Sequence, residues 1–199
     1  MRVNTKPQPV CRPTTFVSRL IFSGLLLGML AGLPGCALVH HYDAITGKVV
    51  DLDTGEPLEG AAVHASYYTT FYNMIDPTSW YLNSQETLTD AKGEFIIPAQ
   101  FAFAFRPMNL FDDMVLFRIF KPGHECFPGK NTRPSLSYLK EKERNTIMLP
   151  KTVTREQHLQ SLSCHPWSSD ITVDEYPILF DLLNKENINL GLEPLQPAQ

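Results

Sequence analysis

Three groups of side chains in this sequence could support metal, proton-transfer or recognition chemistry. The first is an acidic knot, Asp51, Asp53 and Glu56, inside GKVVDLDTGEPLEGAAVHA, residues 47–65. The second is His124, Cys126, Cys164 and His165, and the third is an aromatic run from Tyr67 to Tyr81. An EF-hand calcium loop needs a glycine at its sixth position and a bidentate Glu at its twelfth. Counted from Asp51 these positions hold Glu56 and Ala62, so the acids are expected to cap a turn. None of His40, His41, His64, His124, His158 and His165 falls in HExxH or another compact zinc spacing. HEC at 124–126 would converge on zinc with Cys164 and His165 only if the end of the chain folds back. A disulfide would use the same two sulfurs. Ser161 and Ser163 lack the glycines of a nucleophile elbow, and no Gly-rich phosphate loop occurs. The expectation is therefore no catalytic residue, no metal and no cofactor.

The ends of the chain set the compartment. Arg2, Lys6, Arg12 and Arg19 stand among the first nineteen residues with no acid, ahead of 14 apolar or small residues from Leu20 to Leu33. A membrane-spanning helix needs about 20 apolar residues, so this is a basic n-region and a short h-region of an export signal. Leu33 to Cys36 reads LPGC, which resembles the lipobox of bacterial lipoproteins, although Pro34 replaces the usual small residue. The resemblance implies removal of residues 1–35 and acylation of Cys36, with several chains on one residue anchoring durably. Ala37, in place of the aspartate that in this family marks inner-membrane retention, favours the outer membrane. The formal net charge of −4 becomes more negative once the four basic residues of the signal leave. With no basic run besides, nucleic acid is excluded as a partner. Cys11 goes with the signal and Cys36 is committed to lipid, so Cys126 and Cys164 remain to form one disulfide in an oxidising periplasm.

From Ile45 to Pro150 the sequence is a series of short alternating runs separated by turn residues, the pattern of an all-β sandwich. Ile45, Gly47 and Val49 share one face of a first strand, and Val63, Ala65 and Tyr67 one face of a second. Asp90 to Gly93 turns the next hairpin and returns Phe95 and Ile97 inward. Val115, Phe117 and Ile119 fill another inward face, as do Ile147 and Leu149. Phe101, Phe103 and Phe105 alternate in the same way and are assigned to the core.

GKVVDLDTGEPLEGAAVHA, TLTDAKGEFIIP, FKPGHE and the strand before Pro150 together resemble the carboxypeptidase regulatory-like domain. That resemblance, over roughly Ile45 to Lys151, implies a transthyretin-like seven-stranded β-sandwich without catalytic function. His124 stands where the family usually has an aromatic residue, and a long insert separates the second and third strands. The insert holds Tyr67, Tyr68, Phe71, Tyr72, Trp80 and Tyr81. Such rings either pack as a flap or face outward to a sugar, a protein or a headgroup region. Tyr72, Trp80 and Tyr81 are the candidate ligand-binding residues.

After Pro150 the spacing becomes helical. Thr154 and Gln157 form a capping box ahead of Leu159 and Leu162, and a second helix from Asp174 aligns Tyr176, Leu179, Phe180 and Leu183 before Gly191 stops it. The expected organisation is a signal peptide (1–35), a linker (36–44), the sandwich (45–151), a short C-terminal helical extension (152–191) and a disordered tail (192–199). The expected function is a non-catalytic outer-membrane lipoprotein facing the periplasm. It is held to the membrane through its N-terminal lipid and binds or scaffolds another envelope protein or a polysaccharide. The alternative is a small periplasmic metal-binding protein or metalloenzyme built on the His124, Cys126, Cys164 and His165 set.

Overall fold

The computed structural model of the protein describes residues 36–71, 77–107, 111–129, 146–166, 168 and 170–196. The expected signal peptide and Tyr72 lie outside the described residues. Within them the chain forms eight strands and two short α-helices, an all-β architecture. The strands are β1 (Cys36–Tyr42), β2 (Ile45–Asp51), β3 (Ala62–Phe71), β4 (Thr78–Leu88), β5 (Glu94–Ile97), β6 (Gln100–Pro107), β7 (Phe111–Phe120) and β8 (Thr146–Leu149). The helices are α1 (Arg155–Ser161) and α2 (Pro177–Asn189), the latter preceded by a 3-10 turn over Val173–Glu175.

The strands form a sheet β5-β2-β8, a sheet β4-β3-β7 and a two-stranded ribbon β1-β6. β3 pairs antiparallel with both of its neighbours, whereas β8 runs parallel to β2 with Val49 opposite Ile147. One buried cluster joins Val49, Phe95, Ile97, Ile147 and Leu149 of the first sheet to Val63, Ala65, Tyr67, Val115, Phe117 and Ile119 of the second. Each of these residues faces inward by simple alternation along its strand. A second cluster lies on the opposite face of β3 and β7, where Ala62, Tyr68 and Phe120 meet Cys164, Ile171, Tyr176, Leu179 and Leu183. The sheet β4-β3-β7 is thus covered on both faces, which is why β3 is buried from Ala62 to Thr70.

Gly93 shows how the hairpins are fixed to the core. Its φ of 71° suits glycine, its carbonyl accepts from the Val49 amide at 2.8 Å, and a Cβ there would strike the Val49 carbonyl oxygen. At the other end of the chain, the Thr154–Gln157 capping box starts α1, Pro177 occupies the first turn of α2, and Gly191 at φ 73° follows its end.

Three expectations are corrected. Residues 36–42 of the expected linker are strand β1, because β6 supplies a pairing edge that nothing local announces. The expected insert is largely the outer half of a hairpin: Tyr67 to Phe71 continue β3, and Thr78 to Tyr81 open β4. The phase of β6 is the reverse of that expected. Ala102 enters the core, while Phe101 and Phe103 are 64% and 79% exposed.

Candidate functional site

The polar side chains that sequence reasoning left unassigned meet where β3 and β4 pass beneath α2. Alternation turns His64, Ser66 and Tyr68 away from the inner core and toward the helix. His64 Nε2 lies 2.8 Å from Ser66 Oγ, and His64 Nδ1 lies 3.5 Å from Glu86 Oε1. Glu86 also accepts hydrogen bonds from the Ile178 and Leu179 amides at 2.8 and 3.1 Å. Its carboxylate therefore occupies the N-terminal end of α2, where free amides and the helix dipole favour negative charge. The order Ser, His, Glu has the connectivity of a nucleophilic relay. Here, however, Ser66 is buried beneath the helix and Glu86 is engaged by two amides, so the arrangement fastens α2 to the sheet.

Tyr81 belongs to the same fastening. Its hydroxyl donates to Glu175 Oε1 at 2.5 Å, its ring meets Tyr68 edge-on at 5.8 Å, and Ser84 Oγ donates to the Glu175 carbonyl at 3.1 Å. Burial, then the Glu175 bond, push the Tyr81 phenol upward. Burial works to raise the Glu175 carboxyl, but the bonds from Tyr81 and Thr172 outweigh it and hold the group below its usual range. Tyr67 is buried on the inner face against Tyr42, with ring centroids 4.7 Å apart. Burial raises its phenol to about 12. Trp80 is opposite Thr69, next along the strand from Tyr81 and on the other face, and is 48% exposed. Of the three candidate binding residues, then, Tyr81 is held by the C-terminal segment, Trp80 reaches the surface, and Tyr72 lies outside the described residues.

Cys126 and Cys164 form a disulfide with Cα atoms 5.6 Å apart. Both sulfurs are used in that bond, leaving the His124, Cys126, Cys164 and His165 set without thiolate ligands. His124 instead turns to the acidic knot, with Nε2 at 3.1 Å from Asp51 Oδ2. Asp51 Oδ1 accepts from the Asp53 and Thr54 amides, each at 2.9 Å, and Lys151 Nζ stands 3.4 Å from Oδ2. The Thr54 amide first, then His124 and the Asp53 amide, hold the Asp51 carboxyl far below the usual carboxylate range against the opposing effect of burial. The knot is a turn whose leading acid is closed by its own backbone, as its spacing suggested. Its tie to His124 spans 73 residues and has no local sequence signal. His165 is lowered by burial and by the nearby Arg118 charge.

No family model matches the chain, and no curated protein matches it. Among solved structures, an alternative pilotin from the type II secretion system of Vibrio cholerae is similar at 16% identity over 58% of this chain and 99% of that one, with a TM-score of 0.29. A 9R-lipoxygenase from Cyanothece PCC8801 is similar at 14% identity over 78% of this chain and 25% of that one, with a TM-score of 0.24. Neither score is high enough to assign a fold or a function.

Proposed function

We propose that the chain is a non-catalytic lipoprotein of the cell envelope, anchored in the outer membrane through Cys36 and facing the periplasm. In this reading its β-rich domain binds or scaffolds another envelope component. The observation that carries the reading is the Cys126–Cys164 disulfide. Such bonds persist in oxidising compartments, and the basic n-region, short h-region and LPGC provide the route to one. Two three-stranded sheets sharing one core support a sandwich of the carboxypeptidase regulatory-like, transthyretin-like kind, to which the β1-β6 ribbon and the C-terminal helices are additions. The recognition surface is assigned to the outer half of the β3–β4 hairpin, on the face where Trp80 is exposed, with an envelope protein or a polysaccharide as partner.

The test is membrane fractionation and mass analysis of the full chain. Wild type should sediment with outer membranes and carry acyl mass on an N-terminal Cys36, and Cys36→Ser should move to the soluble fraction. A wild-type protein whose N-terminal cysteine is absent or unacylated would end the lipoprotein reading.

A further inference from the structure

The strand that replaces the expected linker has a consequence for how the domain meets the bilayer. β1 begins at Cys36 and is paired with β6, so only a few residues of chain separate a lipid-anchored Cys36 from the paired ribbon. On β6 the side-chain pattern is inverted relative to a strand that faces water. Ala102 is 5% exposed and sits in the core, while its neighbours Phe101 and Phe103 point outward together. Strand β5 puts its phenylalanine, Phe95, inside instead. The ring of His41, on β1, lies 4.8 Å from that of Phe101. At about 3.3 Å per residue, β1 covers about 17 Å between Cys36 and His41, so the phenylalanines lie close to the anchor on the scale of a bilayer.

We propose that the β1-β6 ribbon is a second membrane contact, with Phe101 and Phe103 seated in the headgroup and acyl boundary of the bilayer that holds Cys36. This rests on the lipoprotein reading above. The occupant is the anchoring bilayer because the strand paired with β6 starts at the acylated residue, which brings any surface of this ribbon near the lipid. Exposed apolar side chains grouped on one face mark an interaction surface, and Phe is well suited to the interfacial zone. Several acyl chains already hold the protein durably, so the two rings set orientation, and their effect is read as depth rather than affinity.

The experiment uses the lipidated full chain reconstituted in vesicles of phosphatidylethanolamine and phosphatidylglycerol, with or without brominated acyl chains. A tryptophan is added as Phe103→Trp or, should that variant melt early, as Phe101→Trp, with Lys92→Trp in the exposed β4–β5 turn as the control. The ribbon tryptophan should emit further to the blue and lose its added emission to bromine, while the control should keep its own. If acyl mass is present on Cys36 and the ribbon tryptophan is unquenched, the inference falls and the anchor reading stands. Equal quenching of ribbon and control would mean unspecific adsorption and would also overturn it. A blue shift without vesicles, together with a doubled mass in solution, would assign the ribbon to a second copy of the chain instead. Absence of acyl mass on Cys36 removes both the inference and the reading beneath it.

Discussion

Reducing the Cys126–Cys164 disulfide should cost most of the stability that holds the C-terminal layer. The bond closes a loop with a sequence separation of 38. The chain-entropy relation for a loop of that length gives about 4 kcal/mol at 25 °C. Its two ends explain where the loss falls. Cys126 precedes Phe127, whose amide and carbonyl both bond to Ile119 of β7, so that end is fixed to the sheet. Cys164 is fully buried with Phe120, Leu179 and Leu183, on the segment that leads into α2. Without the bond, that segment relies on Glu86, on Tyr81 and Ser84, and on the contact between His158 of α1 and Glu186 of α2. A domain of this size class melts roughly 2–4 °C lower per kcal/mol lost, which sets the fall at about 10 °C. Circular-dichroism melts of the mature protein with and without reductant give the number. The Cys126→Ala and Cys164→Ala double variant should melt at the reduced temperature and ignore reductant, and amide exchange should quicken first in α2. Identical melts after alkylation has shown both thiols free would refute the reasoning, as would two free thiols in the unreduced, denatured protein.

Glu86→Gln leaves the Ile178 and Leu179 amides with a neutral acceptor and should cost about 1–2 kcal/mol; exchange at those two amides should rise, and unchanged protection would sink the capping role. Asp51 is ionised more readily folded than unfolded, so its contribution is present above about pH 4, the unfolded value, and is lost as pH falls toward the lower folded value. Asp51→Asn should therefore flatten the acid limb of the stability profile below about pH 4, and parallel limbs in variant and wild type would count against this. Trp80→Ala should change the melt by less than about 1 kcal/mol while reducing retention of envelope partners, whereas Tyr81→Phe should lose about 1 kcal/mol with retention unchanged. The opposite pairing of outcomes would move recognition off Trp80.

How much of this was legible depends on whether the decisive contact is local. Phe95 with Ile97, Val115 with Phe117 and Ile119, and Ile147 with Leu149 all face inward as alternation predicts, because one core explains each strand. The capping box at Thr154 and the glycine that follows α2 are local signals and are found in place. β3 is different. Its second face, with Ala62, His64, Ser66 and Tyr68, is buried only because α2 returns to cover it, and no pattern within β3 announces a helix more than a hundred residues later. β6 misled for the complementary reason: alternation shows that alternate residues share a face, but not which face is wet. Phe101 and Phe103 take the outward phase because the small Ala102 packs with the core cluster that includes Tyr42. Within the candidate site, the disulfide was legible by elimination among cysteines, whereas His64 with Glu86 and His124 with Asp51 required the fold.

Three histidine–carboxylate contacts lie between elements of the fold. Functional centres gather perturbed acids and bases into one cleft. Among the described residues, these three histidine–carboxylate contacts lie at separate joints. His64 with Glu86 joins the sheet to the start of α2, His158 with Glu186 joins α1 to α2, and His124 with Asp51 joins the turn after β7 to the turn after β2. Each pair is largely buried at a place where two elements must hold a fixed relation, and an unpaired charge or polar group there would be costly. The large apolar side chains exposed at the hairpin and the ribbon are Trp80, Phe101 and Phe103. These rings are the surfaces that the proposed reading uses, and their placement makes the two proposed contacts separable. Trp80 sits in the sheet clamped by α2, whereas Phe101 and Phe103 sit in the ribbon paired with the strand that begins at Cys36. Removing Trp80 should therefore weaken partner capture without altering depth in the bilayer, and removing the phenylalanines should do the reverse.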